Sequence, residues 1–328
     1  MKRMKWLTFL LIGLAILLAG CGGNAASGEG GQVVIYSNGD EEAIKAMEQS
    51  LNGAGYEGKY IIQSLGTSEL GGKLMAEGSK IEADLVTMSS YFLESAQQQH
   101  SMFRDLGFQT HSLEEYPAFY SPVLANTGAL FFNTAMIEQK GLEVPKSIKD
   151  LADPSYKGLV SIPNIMDSST GWTLIQAIIS EYGEDEGKKI MAGVIENAGP
   201  HLESSGSGSI KKVQAGEVAV GFGLRHQAVE VKKSGAPIDF IDPVEGNFSI
   251  TESVAVIDKK NEKTDLALEM AEVLITDARK DLITYYPVPL YEGETVDEDN
   301  KASNNKTFSE PLTVELLEKH QSFFNSAK

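Results

Sequence analysis

Short apolar runs alternate with stretches of helical spacing through the chain that follows residue 32. In the first stretch, Ile44, Met47 and Leu51 recur at i, i+3 and i+7, the spacing of one helix face, between two apolar runs of strand length. A third run follows another short helical segment. The predicted strands of this part are Val33–Tyr36, Tyr60–Gln63 and Leu85–Met88. Strands that alternate with helices in this way favour a mostly parallel sheet.

A second α/β series begins near residue 129. Its predicted strands are Ala129–Phe132, Leu159–Ile162 and Val218–Phe222, and its predicted helices are Trp172–Ser180 and Lys188–Glu196. Two amphipathic helices near residues 266–274 and 316–324 complete the pattern. The chain is therefore expected to be an α/β protein with two such units.

The composition is that of a globular protein large enough for two α/β units. The 328 residues are 42% hydrophobic, enough to bury two cores. Acidic residues outnumber basic ones by 46 to 28, a formal net charge of −18, so the chain is not expected to bind nucleic acid or an anionic membrane surface. Cys21 is the single cysteine, which excludes a disulfide framework and a multi-cysteine metal site.

The N-terminus has the pattern of an export signal. Basic residues at positions 2, 3 and 5 precede the apolar run Leu7–Leu18, which is too short to span a bilayer. The following Leu18-Ala19-Gly20-Cys21 resembles the lipobox of bacterial lipoproteins. We expect residues 1–20 to be a lipoprotein signal peptide, Cys21 to be lipidated, and 21–31 to be a flexible tether. The alternative is an ordinary cleaved signal with a chance cysteine.

Five loops that follow strands are rich in small hydroxyl and glycine residues. Ligands of open α/β sheets bind outside the carboxyl ends of the strands, where helices begin with free N–H groups. Short hydroxyl side chains add donors there, so the loops favour an anionic ligand; the alternative is that each hydroxyl only caps its helix. The loops are Ser37–Gly39, Gly66–Glu69, Ser89–Ser90, Asp167–Gly171 and Ser204–Ser209.

Motifs for catalysis and for metal binding are missing from the sequence. The run Gly206-Ser207-Gly208 lacks the spacing of a nucleophile elbow, and Gly71-Gly72-Lys73 lacks that of a phosphate-binding loop. The five histidines show no H-x-x-x-H spacing. We therefore expect no catalytic residue, metal or cofactor, although a secreted lipoprotein enzyme on an α/β scaffold stays open.

Several segments resemble the solute-binding proteins of bacterial ABC importers. They are the run Val144–Gly158 (VPKSIKDLADPSYKG), the pair Asn133-Thr134 and the late Tyr286–Pro289 (YPVP). The resemblance implies a two-lobed type II periplasmic binding protein fold, with hinge strands near Tyr120–Asn126 and Phe248–Ile257 and a ligand cleft between the lobes. Lobe 1 would comprise residues 32–125 plus 250–328, and lobe 2 residues 126–249.

That resemblance also implies location and partners. The protein would lie outside the cytoplasm, attached to the cell membrane by its lipid alone. It would act as a monomer that delivers a small anionic solute to an ABC permease.

The most similar branch of that family holds binders of ferric ion, thiamine and 2-aminoethylphosphonate. Ferric binders present adjacent tyrosines from a loop after a strand of the second lobe, whereas Val218–Phe222 is here followed by Gly223-Leu224-Arg225-His226. A guanidinium at that place would repel a trivalent cation and attract a phosphonate. The resemblance therefore favours 2-aminoethylphosphonate or a related organophosphonate, with ferric ion or thiamine as the alternative.

Candidate ligand-binding residues follow from the loops and this branch. The group expected to hold the phosphonate comprises Thr67, Ser68, Ser168, Ser169, Thr170, Arg225 and His226. The group expected to hold the ammonium comprises Glu69, Tyr91 and Glu252, and the other loop residues expected at the cleft are Ser37, Asn38, Ser89 and Ser207.

Overall fold

A computed structural model describes residues 31–297 and 300–328. Cys21, the predicted signal peptide and nearly all of the predicted tether lie outside the described residues. None of the described helices combines the length and the apolar character that crossing a membrane requires.

Strands and helices alternate through most of the described chain. The strands are β1 (Val33–Ser37), β2 (Tyr60–Ser64), β3 (Leu85–Ser89), β4 (Phe103–Arg104), β5 (Tyr120–Asn133), β6 (Val160–Pro163), β7 (Leu202–Glu203), β8 (Val220–Leu224), β9 (Ile238–Ile241), β10 (Asn247–Ile257) and β11 (Asn305–Lys306). The helices are α1 (Glu41–Gly53), α2 (Thr67–Glu77), α3 (Ser90–His100), α4 (Thr134–Lys140), α5 (Ser169–Ala198), α6 (Gly208–Gln214), α7 (Arg225–Lys233), α8 (Glu262–Val273), α9 (Arg279–Tyr285) and α10 (Val314–Ser326).

Five of the six strands predicted from apolar runs are confirmed within two residues of their ends, whereas the predicted Ala129–Phe132 is the last part of the longer β5. The two helices predicted over residues 172–180 and 188–196 form one run, α5, with a break at Gly183. Gly183 has φ 70° and ψ 174°, a conformation that only glycine adopts at little cost, so the break falls where the sequence pattern also stops.

The sheet joins two groups of parallel strands through two long strands. Its order is β2-β1-β3-β10-β5-β8-β6-β7, with β1 parallel to β2 and β3, and β6 parallel to β7 and β8. Strands β5 and β10, of 14 and 11 residues, are antiparallel to each other and to β8 and β3 respectively. The segments expected to be hinges lie within these two strands, which we call the β5–β10 ribbon.

The core is divided between the two strand groups. Ile35, Leu51 and Leu85 belong to a buried cluster on the first group, and Phe131 and Val213 to one on the second. A larger cluster runs through α3, α5 and α10.

The C-terminal helix contacts α5, which the sequence places in the other lobe. Buried His320 of α10 accepts a hydrogen bond at Nδ1 from Trp172 Nε1 of α5, at 2.7 Å. A buried indole N–H needs such an acceptor. The sequence pattern predicts both helices but not which surface each one covers, so the lobe boundaries stay a prediction.

Candidate functional site

Four of the five predicted loops meet at one cavity of about 890 Å³, which we call the central cavity. It opens between the carboxyl ends of the two groups of parallel strands. Asn126 and Glu252 of the β5–β10 ribbon also line it. The predicted site residues among its lining are Asn38, Thr67, Ser68, Glu69, Ser168, Ser169, Thr170, Ser207 and Glu252.

Helix α2 begins at the central cavity with Gly66 as its N-cap. Buried Leu70 and Leu74 hold the helix on the core, so its first turn is fixed in position. Asn38 Nδ2 donates to Thr67 Oγ1 at 3.2 Å, which joins this turn to the loop after β1. The N–H groups of this turn and the positive end of the helix dipole lie at the cavity wall.

Helix α5 begins at the opposite wall. Its N-cap is Ser168, whose hydroxyl accepts from the N–H of Thr170 at 3.3 Å, and the buried residues Ser169 and Thr170 also line the cavity. Gly171 follows because a Cβ there would lie 2.6 Å from the backbone nitrogen of Ile165. The first turn of α5 therefore depends on a close backbone contact that a larger residue would disturb.

Direct hydrogen bonds join the two walls. Ser68 Oγ donates to the carbonyl oxygen of Met166 at 2.6 Å. Gln227 Nε2 donates to Asp40 Oδ2 at 3.3 Å, and His226 Nε2 lies 3.6 Å from the same oxygen. These contacts connect α1 and α2 of the first strand group to α7 and the 164–168 turn of the second.

Asp40 is the N-cap of α1 and a shared acceptor. Tyr286 donates its hydroxyl to Asp40 Oδ1, and the ring of His226 packs on that of Tyr286 with centroids 4.2 Å apart. Burial alone would raise the pKa of Asp40, but the nearby imidazole of His226, with the hydrogen bonds from Tyr286 and the N–H of Ala43, leaves the pKa below its ordinary value. Asp40 therefore stays ionised at neutral pH.

Glu252 lies at the floor of the cavity. It is 3% exposed, and its Oε1 accepts from Ser89 Oγ at 3.0 Å and from Asn126 Nδ2 at 3.4 Å. Burial raises the pKa of Glu252 to about 7, although the nearby polar groups of Ser89, Asn38 and Asn126 act in the opposite direction. This carboxyl group can exchange a proton near neutral pH.

Acidic residues dominate the charged lining. Lys45 is the basic residue among the described lining residues, which include these carboxylates: Asp40, Glu41, Glu48, Glu69, Asp167 and Glu252. Glu41, Glu48, Glu69 and Asp167 are exposed, so water and salt screen them, whereas Asp40 is half-buried and Glu252 is buried. Carboxylates therefore outnumber basic side chains in the described lining.

Arg225 is not brought to the central cavity. Its guanidinium pairs with Asp242, with Nε 2.7 Å from Oδ1, and donates to the carbonyl oxygens of Asn300 and Lys301 at 2.5 and 2.9 Å. It lines a separate cavity of about 500 Å³ together with Thr127 of the ribbon. The guanidinium therefore pairs with a residue 17 positions away and does not line the central cavity, and the expected phosphonate contact of Arg225 stays a prediction.

Four other predicted residues lie outside the lining. His226 lines the separate cavity of about 500 Å³. Tyr91 is fully buried, with its ring centroid 4.7 Å from that of Phe92, and burial raises its pKa well above the ordinary value. Ser37 and Ser89 are buried behind the cavity, where Ser37 Oγ accepts from Gly39 N at 3.0 Å and so shapes the β1–α1 turn.

Sequence reasoning missed Asp40 and Asn126. Asp40 could have been found from its position before Glu41 and Glu42, since an aspartate ahead of an acidic first turn is typical of an N-cap. Asn126 gives no such signal, because its place at the cavity follows only from the pairing of β5 with β10.

The described residues do not place adjacent tyrosines at the central cavity, as the ferric alternative would require. They contain no group of three or more His, Cys, Asp or Glu side chains that could hold a metal ion. Tyr286 is buried and bonded to Asp40, and neither it nor Tyr285 lines the central cavity. The described lining includes no aromatic side chain, which also removes a stacking partner for thiamine.

Comparison with known proteins gives one family and many similar folds. Residues 83–312 match the family of bacterial extracellular solute-binding proteins. An uncharacterized protein of Haemophilus influenzae is 26% identical over 248 residues, which is 72% of this chain and 71% of that protein.

Solved structures of periplasmic binding proteins superpose over most of the chain. AfuA from Actinobacillus pleuropneumoniae with bound fructose-6-phosphate is 19% identical, with TM-score 0.71, covering 90% of this chain and 97% of that one. Iron-bound HitA from Pseudomonas aeruginosa is 19% identical, with TM-score 0.68, covering 91% and 99%. A periplasmic thiamin binding protein is 14% identical, with TM-score 0.70, covering 90% and 95%. At these identities the likeness shows the fold, and it confirms the two-lobed type II fold with two hinge strands and a cleft between the lobes.

Proposed function

This chain belongs to the family of bacterial extracellular solute-binding proteins, which act outside the cytoplasm and deliver small solutes to ABC permeases, and from that premise we propose that it binds a small organophosphonate, with 2-aminoethylphosphonate as the best candidate. The observation that carries the proposal is the meeting of the α2 and α5 starts, with their hydroxyl groups, at opposite walls of one cavity. Such helix starts suit the oxygens of a phosphonate or phosphate group.

Charge balance favours an aminophosphonate over a bare anion. The lining carries several carboxylates and Lys45, so a solute without positive charge would be repelled as its anionic group approached the walls. An ammonium group on the same molecule offsets that repulsion. A sugar phosphate such as the fructose-6-phosphate found in AfuA is the second candidate, because its phosphate would suit the same helix starts.

Delivery, location and attachment complete the proposal. Residues 32–125 plus 250–328 are proposed to form lobe 1, and residues 126–249 to form lobe 2. The protein is proposed to be a monomer without enzymatic activity. Cys21 is proposed to carry the lipid that holds the protein at the membrane, since a chain with a formal net charge of −18 gains nothing from anionic lipid. Mass spectrometry of the mature N-terminus checks this: an unmodified Cys21 would contradict it.

Calorimetric titration of the purified chain tests the solute. We expect Thr67→Ala and Ser169→Ala each to weaken binding of 2-aminoethylphosphonate by about 1.5–3 kcal/mol, the range for a hydrogen bond to a charged group. Ser322→Ala, which removes an exposed hydroxyl on α10, is the control and should bind as the wild type does. Tight ferric or thiamine binding without any response to 2-aminoethylphosphonate, phosphate or fructose-6-phosphate would contradict the proposal.

A further inference from the structure

We propose that Glu252 is the residue that selects an amino-bearing solute, by receiving its ammonium group on the carboxylate at the cavity floor and releasing a proton to water when the solute binds. This inference rests on the proposed function and names the residue that determines which solute the protein selects.

Position on the sheet fixes the Glu252 side chain at the cavity. Glu252 lies on β10 between two neighbours, paired with Ser89 of β3 on one side and with Leu124 of β5 on the other. The register with β5 shifts between Glu252 and Ser253, a bulge of the kind that redirects a side chain. A carboxylate on a central strand cannot swing out to solvent as one on a loop can.

The donors that Glu252 already has satisfy one of its oxygens. Ser89 and Asn126 both donate to Oε1, whereas Oε2 is buried and accepts no hydrogen bond from the described residues. No described lysine, arginine or histidine is within ion-pair distance of Glu252. A buried carboxylate in this state lacks a cationic partner, which a bound ammonium would supply.

Groups around Glu252 make a cation more suitable than a neutral donor. The titratable groups that face it are Asp40 from the start of α1, Tyr91 from α3 and Tyr286 from the segment after α9. Asp40 adds negative charge, and Tyr91 and Tyr286 stay protonated because burial raises the pKa of both. A sugar hydroxyl would donate a hydrogen bond to Glu252 but would leave the negative charge of Glu252 and Asp40 uncompensated.

Proton release follows from the same arrangement. The pKa of Glu252 is raised to about 7, mainly by burial, so part of the unliganded protein holds this group as a neutral acid at neutral pH. An ammonium beside it favours the carboxylate and lowers that pKa. The O–H bond then breaks, the proton passes to water, and the ammonium keeps its own protons.

The experiment compares two solutes that differ by the amine. Wild-type protein is titrated by calorimetry at pH 7 with 2-aminoethylphosphonate and with ethylphosphonate, in two buffers of different ionisation enthalpy, and fructose-6-phosphate is a third solute. We expect 2-aminoethylphosphonate to bind at least about 30-fold more tightly than the other two, the lower limit for a buried charge pair, and only its binding to release protons.

Substitutions at three carboxylates locate the effect. Glu252→Gln keeps the shape and should lose both the preference for the amine and the proton release, while ethylphosphonate binding, which also reports folding, changes less than about threefold. Glu252→Asp should keep part of the preference, since it keeps the charge. Glu318→Gln, which alters an exposed carboxylate on α10 outside the cavity lining, is the control and should leave preference and proton release in place. Glu69→Gln tests the rival carboxylate on α2 and should lower the preference less than Glu252→Gln does.

Each contrary result is distinct. Equal affinity of the wild type for 2-aminoethylphosphonate and ethylphosphonate would overturn the role of Glu252 and leave the phosphonate proposal standing. Loss of the preference in Glu69→Gln but not in Glu252→Gln would assign the ammonium to α2 instead. Failure of the wild type to bind any of these solutes would overturn the proposed function itself.

Discussion

Arg225 and Glu252 show that a buried charge takes its role from its neighbours. The sequence assigned both to the solute, but Arg225 is paired with Asp242, which also accepts from Asn247 Nδ2 and from the N–H and hydroxyl of Ser303. The positive charge of Arg225 is therefore compensated within the protein. Glu252 has hydrogen bonds to Oε1 alone and no cationic partner among the described residues, so it has capacity for a ligand.

Arg225→Ala is therefore expected to destabilise the fold rather than remove a solute contact. Loss of the guanidinium leaves the carboxylate of Asp242 buried without its counter-charge, which should lower the free energy of unfolding by about 3–5 kcal/mol. Urea unfolding of the full chain measures this change in the free energy of unfolding. Lys232→Ala breaks the exposed pair with Asp239 and is the control, with an expected loss below about 1 kcal/mol.

The opposite result would be informative. If Arg225→Ala unfolds as the wild type does but loses affinity for 2-aminoethylphosphonate, the guanidinium leaves Asp242 in solution and reaches the solute.

At the scale of elements, the site consists of helix starts that the core holds in place. Helix α2 is fixed by Leu70 and Leu74, and α5 by Trp172, which lies 4.9 Å from Tyr91 in an edge-to-face contact. The start of α5 also depends on the contact of Gly171 with the 164–165 backbone. A helix start can bind an anion only if its first turn is held at the cavity.

Gly171→Ala should disturb that turn. The added Cβ meets backbone atoms, which cannot rotate away, so we expect a loss of about 1–3 kcal/mol in the free energy of unfolding and weaker phosphonate binding. Thermal and urea unfolding measure the loss of stability, and calorimetry measures the phosphonate affinity. Gly72→Ala on α2 is the matched control, because a Cβ there meets nothing within 4 Å and should stabilise the helix by about 0.5–1 kcal/mol. Equal behaviour of the two variants would show that the 164–165 turn yields to the added methyl group.

At the scale of the whole molecule, hydrogen bonds cross the central cavity, as expected of the closed state of a two-lobed binding protein. Ser68 with Met166, and Asp40 with Gln227, bridge residues from opposite strand groups at its walls. Strands β5 and β10 connect those groups, so closing requires bending of the ribbon. Solute that contacts both walls stabilises the closed state through its differential affinity for that state.

Solute should therefore compact the protein. We expect 2-aminoethylphosphonate to lower the radius of gyration in small-angle scattering and to change the emission of Trp172, which packs on Tyr91, Phe308 and His320 from other elements. Ser68→Ala removes one bridge and should weaken closure by about 0.5–1.5 kcal/mol. A solute that binds by calorimetry but leaves both radius and emission unchanged would contradict closure.

The sequence by itself determined the alternation of strands and helices, the hydroxyl-rich loops after the strands and the family resemblance. These follow from local patterns, since burial repeats with the period of each element and helix starts need capping residues. Four of the five loops accordingly meet at the central cavity. Only the tertiary structure decided which polar side chains are left for a solute. Asp242 reaches Arg225 and Asn126 reaches Glu252 from distant positions in the chain, and electrostatic pairing depends on distance in space, which the sequence pattern does not contain.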